Sequence, residues 1–315
     1  MDKAVSEQIQ KFIRNIEQVV FGKHDVVKMC VTGLLARGHI LIEDVPGIGK
    51  TTIAQSIARS MDCSFSRIQF TSDMLPSDII GVSILNQHTN EFEFRKGPVF
   101  AHVLLADEVN RTPPKTQSAL LEAMSEYQVT VDGVAHPLPA PFIVLATQNP
   151  IEYEGTYVLP ESQLDRFTMR VEVGYPPAED EMRIIRRRDP LKAIHDLQPV
   201  LNTAELVALQ DRVGEVLVDE SVAEYLLAIV RATREHEQVQ LGASPRGALA
   251  FYEACQAFAL VEGRDYVTPG DVKQMAAPVL SHRLLIKTRG ADLSMAARER
   301  VRVVHDIIKS IEVPL

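Results

Sequence analysis

The residues Glu43-Asp44-Val45-Pro46-Gly47-Ile48-Gly49-Lys50-Thr51-Thr52 form a glycine loop ending in Lys-Thr, a build suited to holding phosphates. The apolar run Ile40-Leu41-Ile42 precedes it, and a helical spacing through Ile53, Ile57 and Ala58 follows. The order is therefore strand, loop, helix, in which backbone N–H groups and a helix N-terminus converge on an anion. In such a loop Lys50 reaches the β and γ phosphates, and the Thr51 hydroxyl helps hold Mg²⁺. The full pattern G-x-x-x-x-G-K-[ST] asks for glycine at position 44, where this chain has Asp44. An acidic side chain there must turn away from the phosphates or weaken their binding.

Working outward, His102-Val103-Leu104-Leu105-Ala106-Asp107-Glu108 reads as an apolar strand ending in two acids. A buried strand holds such acids at its C-terminal edge, where open α/β sheets bind ligands. Asp107 would hold Mg²⁺, and Glu108 would act as general base on the attacking water. Alone, this could be a solvated strand exit; beside Lys50 and Thr51 it reads as chemistry. The strand Ile143 to Ala146 runs into Thr147-Gln148-Asn149-Pro150, where Asn149 could bridge the γ phosphate and the water, or simply make a turn before proline. Arg166, in Leu164-Asp165-Arg166-Phe167, suits either a developing phosphate charge or a surface ion pair. Arg246, in Ser244-Pro245-Arg246-Gly247, opens a helix where a cation gains nothing from the dipole, which suggests a use elsewhere. If the second domain folds over the nucleotide, Arg246 could touch the phosphates. The dense basic cluster Arg183, Arg186, Arg187 and Arg188 reads more simply as a solvated helix face.

The chain has 315 residues, 46% hydrophobic and 24% charged, enough for one large or two moderate domains with a sizeable core. Its formal net charge of -9, the absence of Trp and 6% aromatic residues argue against constitutive nucleic-acid binding. The N-terminus carries no apolar signal segment, and no stretch is long and uncharged enough to span a bilayer, so a cytoplasmic setting is expected. The three cysteines, Cys30, Cys63 and Cys255, are odd in number and far apart, which favours reduced thiols over a disulfide or metal site. The histidines lack zinc-site spacing, and there is no G-x-S-x-G anchor for a serine nucleophile.

Alternating apolar runs and helical patterns predict a mostly parallel sheet covered by helices, with strands at Ile40 to Ile42, Val103 to Ala106, Ile143 to Ala146 and Thr168 to Val173. Polar hairpins around Gly81 to Gly97 and Gln128 to Pro137 read equally well as sheet edge or as projections into solvent. Gly174-Tyr175-Pro176-Pro177 breaks the alternation. Helical spacing dominates thereafter, with capping boxes expected at Asn202/Glu205 and Thr268/Asp271. The expected organisation is an α/β domain over 1–175, a linker over 176–190 and a small all-helical domain over 191–315.

Taken together, EDVPGIGKTT (Glu43 to Thr52), Asp107-Glu108-Val109-Asn110-Arg111, Leu121-Glu122-Ala123-Met124, ATQNPIEYEG (Ala146 to Gly155), Leu164-Asp165-Arg166-Phe167 and Ser244-Pro245-Arg246-Gly247 closely resemble the MoxR family of AAA+ ATPases, in family order and over nearly the whole chain. The resemblance implies an α/β P-loop NTPase core, an AAA+ module of parallel sheet and flanking helices, followed by a small all-helical lid. It implies that Pro46, Gly47, Ile48, Gly49, Lys50, Thr51 and Thr52 form Walker A, and that Asp107 and Glu108 form Walker B. Asn149 then resembles sensor 1, and Arg166 a finger reaching into a neighbouring subunit. Arg246 resembles sensor 2 acting within its own subunit, and Gly22 contacts the adenine. The hairpins resemble a helix-2 insert and a pre-sensor-1 insert. ATP/ADP and Mg²⁺ are the implied ligands and a hexameric homo-oligomer the implied assembly. A protein client, and a partner carrying a von Willebrand factor A domain, are implied as well. A nucleotide-gated scaffold with little turnover and a DNA-directed AAA+ ATPase are the alternatives.

Overall fold

The computed structural model describes residues 3–44, 47–148, 157, 159–187, 189–287 and 293–314. In chain order its strands are β1 (Ile40–Glu43), β2 (Phe65–Gln69), β3 (Gly81–Asn86), β4 (Glu91–Lys96), β5 (Val103–Asp107), β6 (Gln128–Val131), β7 (Val134–Pro137), β8 (Ile143–Gln148), β9 (Met169–Val171), β10 (Val239–Leu241) and β11 (Leu285–Ile286). A five-stranded sheet in the order β2-β5-β8-β1-β9 forms the centre. Every pairing within it is parallel. The C-terminal ends of β1, β5 and β8 therefore open on one edge, where an α/β sheet presents its ligand site.

Alternation along the inner strands divides the core between two faces. Ile40, Ile42, Val103, Leu105, Ile143 and Leu145 point into one apolar cluster, shared with the helices Lys3–Glu17, His24–Leu35 and Lys50–Ser60. Leu41, Leu104, Ala106, Val144 and Ala146 point into the other, against Leu120, Leu121 and Met124 of the helix Pro114–Glu126. Burial on both faces explains why these strands read as unbroken apolar runs. The edge strand β2 was not expected, because only Ile68 of its residues is buried and its sequence carries no such run.

Both polar hairpins form two-stranded sheets apart from the central one, which decides between edge and projection. They touch each other, since the Phe94 ring stacks on His136 at 4.1 Å between centroids. The later part of the chain is helical, with helices Thr203–Val213, Glu220–Glu235, Pro245–Val261, Pro269–Leu280 and Leu293–Ser310. The capping boxes at Asn202/Glu205 and Thr268/Asp271 are present. A short β10/β11 ribbon, absent from the expectation, interrupts the helices. The first apolar cluster continues from the N-terminal helices into these later ones, through Phe251, Cys255 and Phe258. Cys30, Cys63 and Cys255 are free thiols. Among the described residues no helix is long and apolar enough to cross a membrane.

Candidate nucleotide site

The glycine loop leaves β1 at Glu43 and enters the helix Lys50–Ser60 through Gly49. Gly47 and Gly49 adopt φ of +85° and +94°, which favour glycine, and a Cβ on either would project into open space. Successive N–H groups in such a backbone can turn toward an anion such as phosphate. Lys50 Nζ donates to the Asp44 carbonyl at 2.7 Å, so its ammonium bends back over the loop. Burial pushes the Lys50 pKa down, while Asp107, Asp44 and Glu108 pull it back up. That set of neighbours brings the loop and the two acids into one electrostatic neighbourhood. Asp44 turns away from the glycine loop: its Oδ2 accepts the Gly174 N–H at 2.5 Å, tying the loop entrance to the exit of β9.

The acids sit where β5 ends. Asp107 Oδ1 accepts from the Thr147 hydroxyl at 2.6 Å, and its Oδ2 accepts from Arg67 Nη2 at 2.6 Å. The same Thr147 oxygen accepts the Glu108 N–H at 2.8 Å. Glu108 holds φ at +58°, a left-handed conformation that costs a non-glycine residue about 1 kcal/mol and re-aims its carboxylate. That carboxylate accepts from Gln69 Nε2 at 2.8 Å and pairs with Arg111 Nε at 2.9 Å. Thr147, Arg67, Gln69 and Arg111 were not singled out from sequence. Their signal lies in strand register, since β2 sets Gln69 beside Asp107 and β8 sets Ala146 beside Ala106. The Thr51 hydroxyl and the Asp107 carboxylate are both oxygen donors, the ligand chemistry that Mg²⁺ takes alongside waters and phosphate.

Beside the loop lies a cavity of about 410 Å³ lined by Phe21, Lys23, Gly47, Ile48, Gly49 and Ile184. Its mixture of apolar walls and a glycine loop suits a nucleotide. Gly22 lines an adjoining cavity of about 680 Å³. Its φ of +64° and the approach of Asp180 Oδ2, 2.6 Å from where a Cβ would stand, explain the glycine. The arginine cluster has a local use: Arg183 and Arg187 lie over the Phe21 ring, at 4.1 and 4.8 Å from its centroid. They fasten the helix Ala178–Arg186 to the cavity wall.

Arg166 and Arg246 lie elsewhere. Arg166 precedes β9 and donates to the Leu121 carbonyl. Arg246 is exposed, and its charge acts on His39, Tyr127 and Arg283. His39 immediately precedes β1, so Arg246 sits at the N-terminal end of the sheet. The phosphate loop lies beyond the other end, past the 4 residues of β1, roughly 13 Å of strand. In this structure Arg246 therefore lies away from the phosphate loop of its own subunit, where the expectation had placed it in contact with the phosphates. The cause is the docking of the lid, whose Ser244 donates to Asp165 Oδ2 at 3.0 Å and anchors the helix Pro245–Val261 beside the start of β9. Pro46 and Asn149 lie outside the described residues, as does Arg188.

Comparison with known proteins identifies the family. Residues 39–169 match the ATPase family associated with various cellular activities (AAA), and residues 231–307 match the AAA lid domain. Protein YeaC of Bacillus subtilis (strain 168) is 47% identical over 97% of this chain and 94% of its own length. Chaperone MoxR1 of Mycobacterium tuberculosis is 44% identical over 88% of this chain and 76% of its own length. A crystal structure from Cytophaga hutchinsonii superposes with a TM-score of 0.89 at 38% identity, covering 99% of this chain and 96% of that one. With a parallel sheet, a glycine loop beside paired acids, a helical lid and relatives of this similarity, the chain belongs to the MoxR family of AAA+ ATPases.

Proposed function

We propose that the chain is an Mg²⁺-dependent ATPase that works as a homo-oligomeric ring, of six subunits on the family pattern, and remodels or matures client proteins. One observation carries this reading: Lys50, Asp107 and Glu108 share one end of the sheet, while Arg166 and Arg246 share the other. Half of a hydrolytic site on each side of one chain calls for a neighbour, and a head-to-tail contact whose rotation closes on itself makes a ring. In the assembled site Lys50 and the loop N–H groups hold the β and γ phosphate oxygens. Glu108 accepts a proton from the attacking water, and Asn149 orients that water. Arg166 and Arg246 of the adjacent subunit offset the charge that develops as ATP becomes ADP and phosphate. Mg²⁺, when held by Thr51 and Asp107, supplies further neutralisation of the phosphate oxygens.

The chaperone-like role draws support from the Mycobacterium tuberculosis relative, which is named a chaperone. The projecting hairpins are the parts free to touch a client. A partner with a von Willebrand factor A domain rests on family resemblance. The test is ATP turnover with and without Mg²⁺ for the wild type and Glu108→Gln. The expected result is Mg²⁺-dependent turnover lost in the variant, with ATP still bound at near wild-type affinity. Wild-type turnover in Glu108→Gln would overturn the mechanism. Tight ATP binding without turnover at any protein concentration would replace it with a nucleotide-gated scaffold.

A further inference from the structure

The lid meets the core through a buried polar knot centred on Arg283. This residue ends the short helical turn Ser281–Arg283, and its side chain is 2% exposed. Its Nε donates to Asp165 Oδ1 at 2.9 Å, Nη2 to the Phe167 carbonyl at 2.7 Å, and Nη1 to the Thr168 carbonyl at 3.0 Å. The other Asp165 oxygen accepts from Ser244, whose Oγ also accepts the Gly247 N–H at 3.0 Å. Gly247 makes room for the knot, because a Cβ there would stand 2.9 Å from Arg283 Cδ. A buried ion pair is a poor source of stability compared with well-packed apolar groups, so what this one provides is fixed geometry. Arg166 directly follows Asp165, and Arg246 lies between Ser244 and Gly247. Both chain segments that carry these arginines are thus pinned by one guanidinium.

We infer that Arg283 is a positioning residue that fixes Arg166 and Arg246 as a single unit presented to the adjacent subunit's nucleotide. The inference rests on the shared-site reading proposed above. Arg283 touches no nucleotide in this arrangement. It holds the Asp165 carboxylate and the successive carbonyls of Phe167 and Thr168, which sets the direction in which Arg166 leaves the chain. Through Asp165 and Ser244 it sets the start of the helix that bears Arg246. Loss of the knot leaves the subunit's own phosphate loop untouched at the far end of the sheet and misplaces only what the subunit lends.

The test is complementation. Arg283→Met is expected to lower kcat by roughly tenfold to a hundredfold, the scale of a misplaced catalytic group, with ATP affinity within about threefold of wild type because that site lies elsewhere. Mixing it with Glu108→Gln, which is inactive alone but carries intact arginines, should restore turnover. In mixed rings the Arg283→Met subunit keeps a working base and receives a properly held pair from its neighbour. Gly247→Ala, which presses on the same guanidinium, should behave alike and serves if Arg283→Met does not fold. Wild-type kcat in both variants, or a folded variant whose lost turnover is not regained on mixing, would overturn the inference. Arg166→Ala is the control for the underlying reading. If it keeps wild-type turnover, the shared site itself fails. If it loses turnover and is rescued by Glu108→Gln while Arg283→Met and Gly247→Ala stay at wild-type rates, the shared site stands and the role of Arg283 falls.

Discussion

Thr147 stands between the two acids and is bonded to both, through the Asp107 carboxylate and the Glu108 amide, with no exposure to solvent. Replacing it with Val keeps the shape and removes the hydroxyl, leaving a half-buried carboxylate oxygen and an N–H without that partner. Thr147→Val is therefore expected to cost about 1–3 kcal/mol in stability. Turnover should fall on the order of ten- to a hundredfold as the acids lose their register. Thr147→Ser should retain most of both, as urea unfolding and steady-state ATPase assays would show; equal losses in Ser and Val would sink the hydroxyl's role. Lys50, Thr51, Asp107 and Glu108 are legible in sequence because their chemistry follows from local order of strand, loop and acid. Thr147 is not, since a threonine ending an apolar strand reads as ordinary, and only the β5–β8 register brings it under Asp107. Asp44 belongs to the same class. Its deviation is visible in sequence, but its escape to the Gly174 amide is a long-range contact.

Among elements, His39 links three. Its Nδ1 accepts the Val144 N–H of β8 at 3.0 Å, so Nε2 carries the proton and donates at 2.9 Å to the Met124 carbonyl of the helix Pro114–Glu126. Both ring nitrogens are satisfied only in the neutral form. Burial is the main cause that brings the His39 pKa down from 6.5 to about 4. The sign follows: between these values the unfolded chain binds more protons than the folded one, so stability is fully present above pH 6.5 and is lost as pH falls toward 4. The loss from this group approaches about 3 kcal/mol. Buried His282, whose pKa is also lowered by burial, acts in the same direction. Urea unfolding at pH 7 and pH 4.5 should show the loss, and His39→Gln should flatten the slope without abolishing it; an unchanged slope would refute the assignment. The parallel strands and the capped helices are legible because period and capping are local. The edge strand β2 and the β10/β11 ribbon are not, because their stability comes from partners distant in sequence.

At the scale of the whole molecule, the proposed shared site divides across the sheet what a subunit would use from what it would lend. Phosphate loop and acids gather beyond the C-terminal ends of β1 and β5, while Arg166, Arg246 and the Arg283 knot gather at the start of β9. The family motifs point to Lys50, Asp107, Glu108, Arg166 and Arg246, whereas Arg283 lies in none of them and the place of Arg246 depends on where the lid docks. The lid is knit to the body by an apolar cluster continuous with the N-terminal helices, so a large independent swing of the lid over its own nucleotide would have to break buried contacts. Motion between neighbours is the cheaper way to make and break the site. The expected consequence is turnover per subunit that rises with protein concentration and saturates as rings fill. Arg166→Ala should lie lower by roughly three orders of magnitude or more at every concentration, while binding ATP as the wild type does. A dilution series of ATPase activity, read beside light scattering for assembly, measures both. Constant turnover per subunit down to dilutions at which scattering shows only monomers would mean that one chain completes its own site, and the division across the sheet would then have no catalytic meaning.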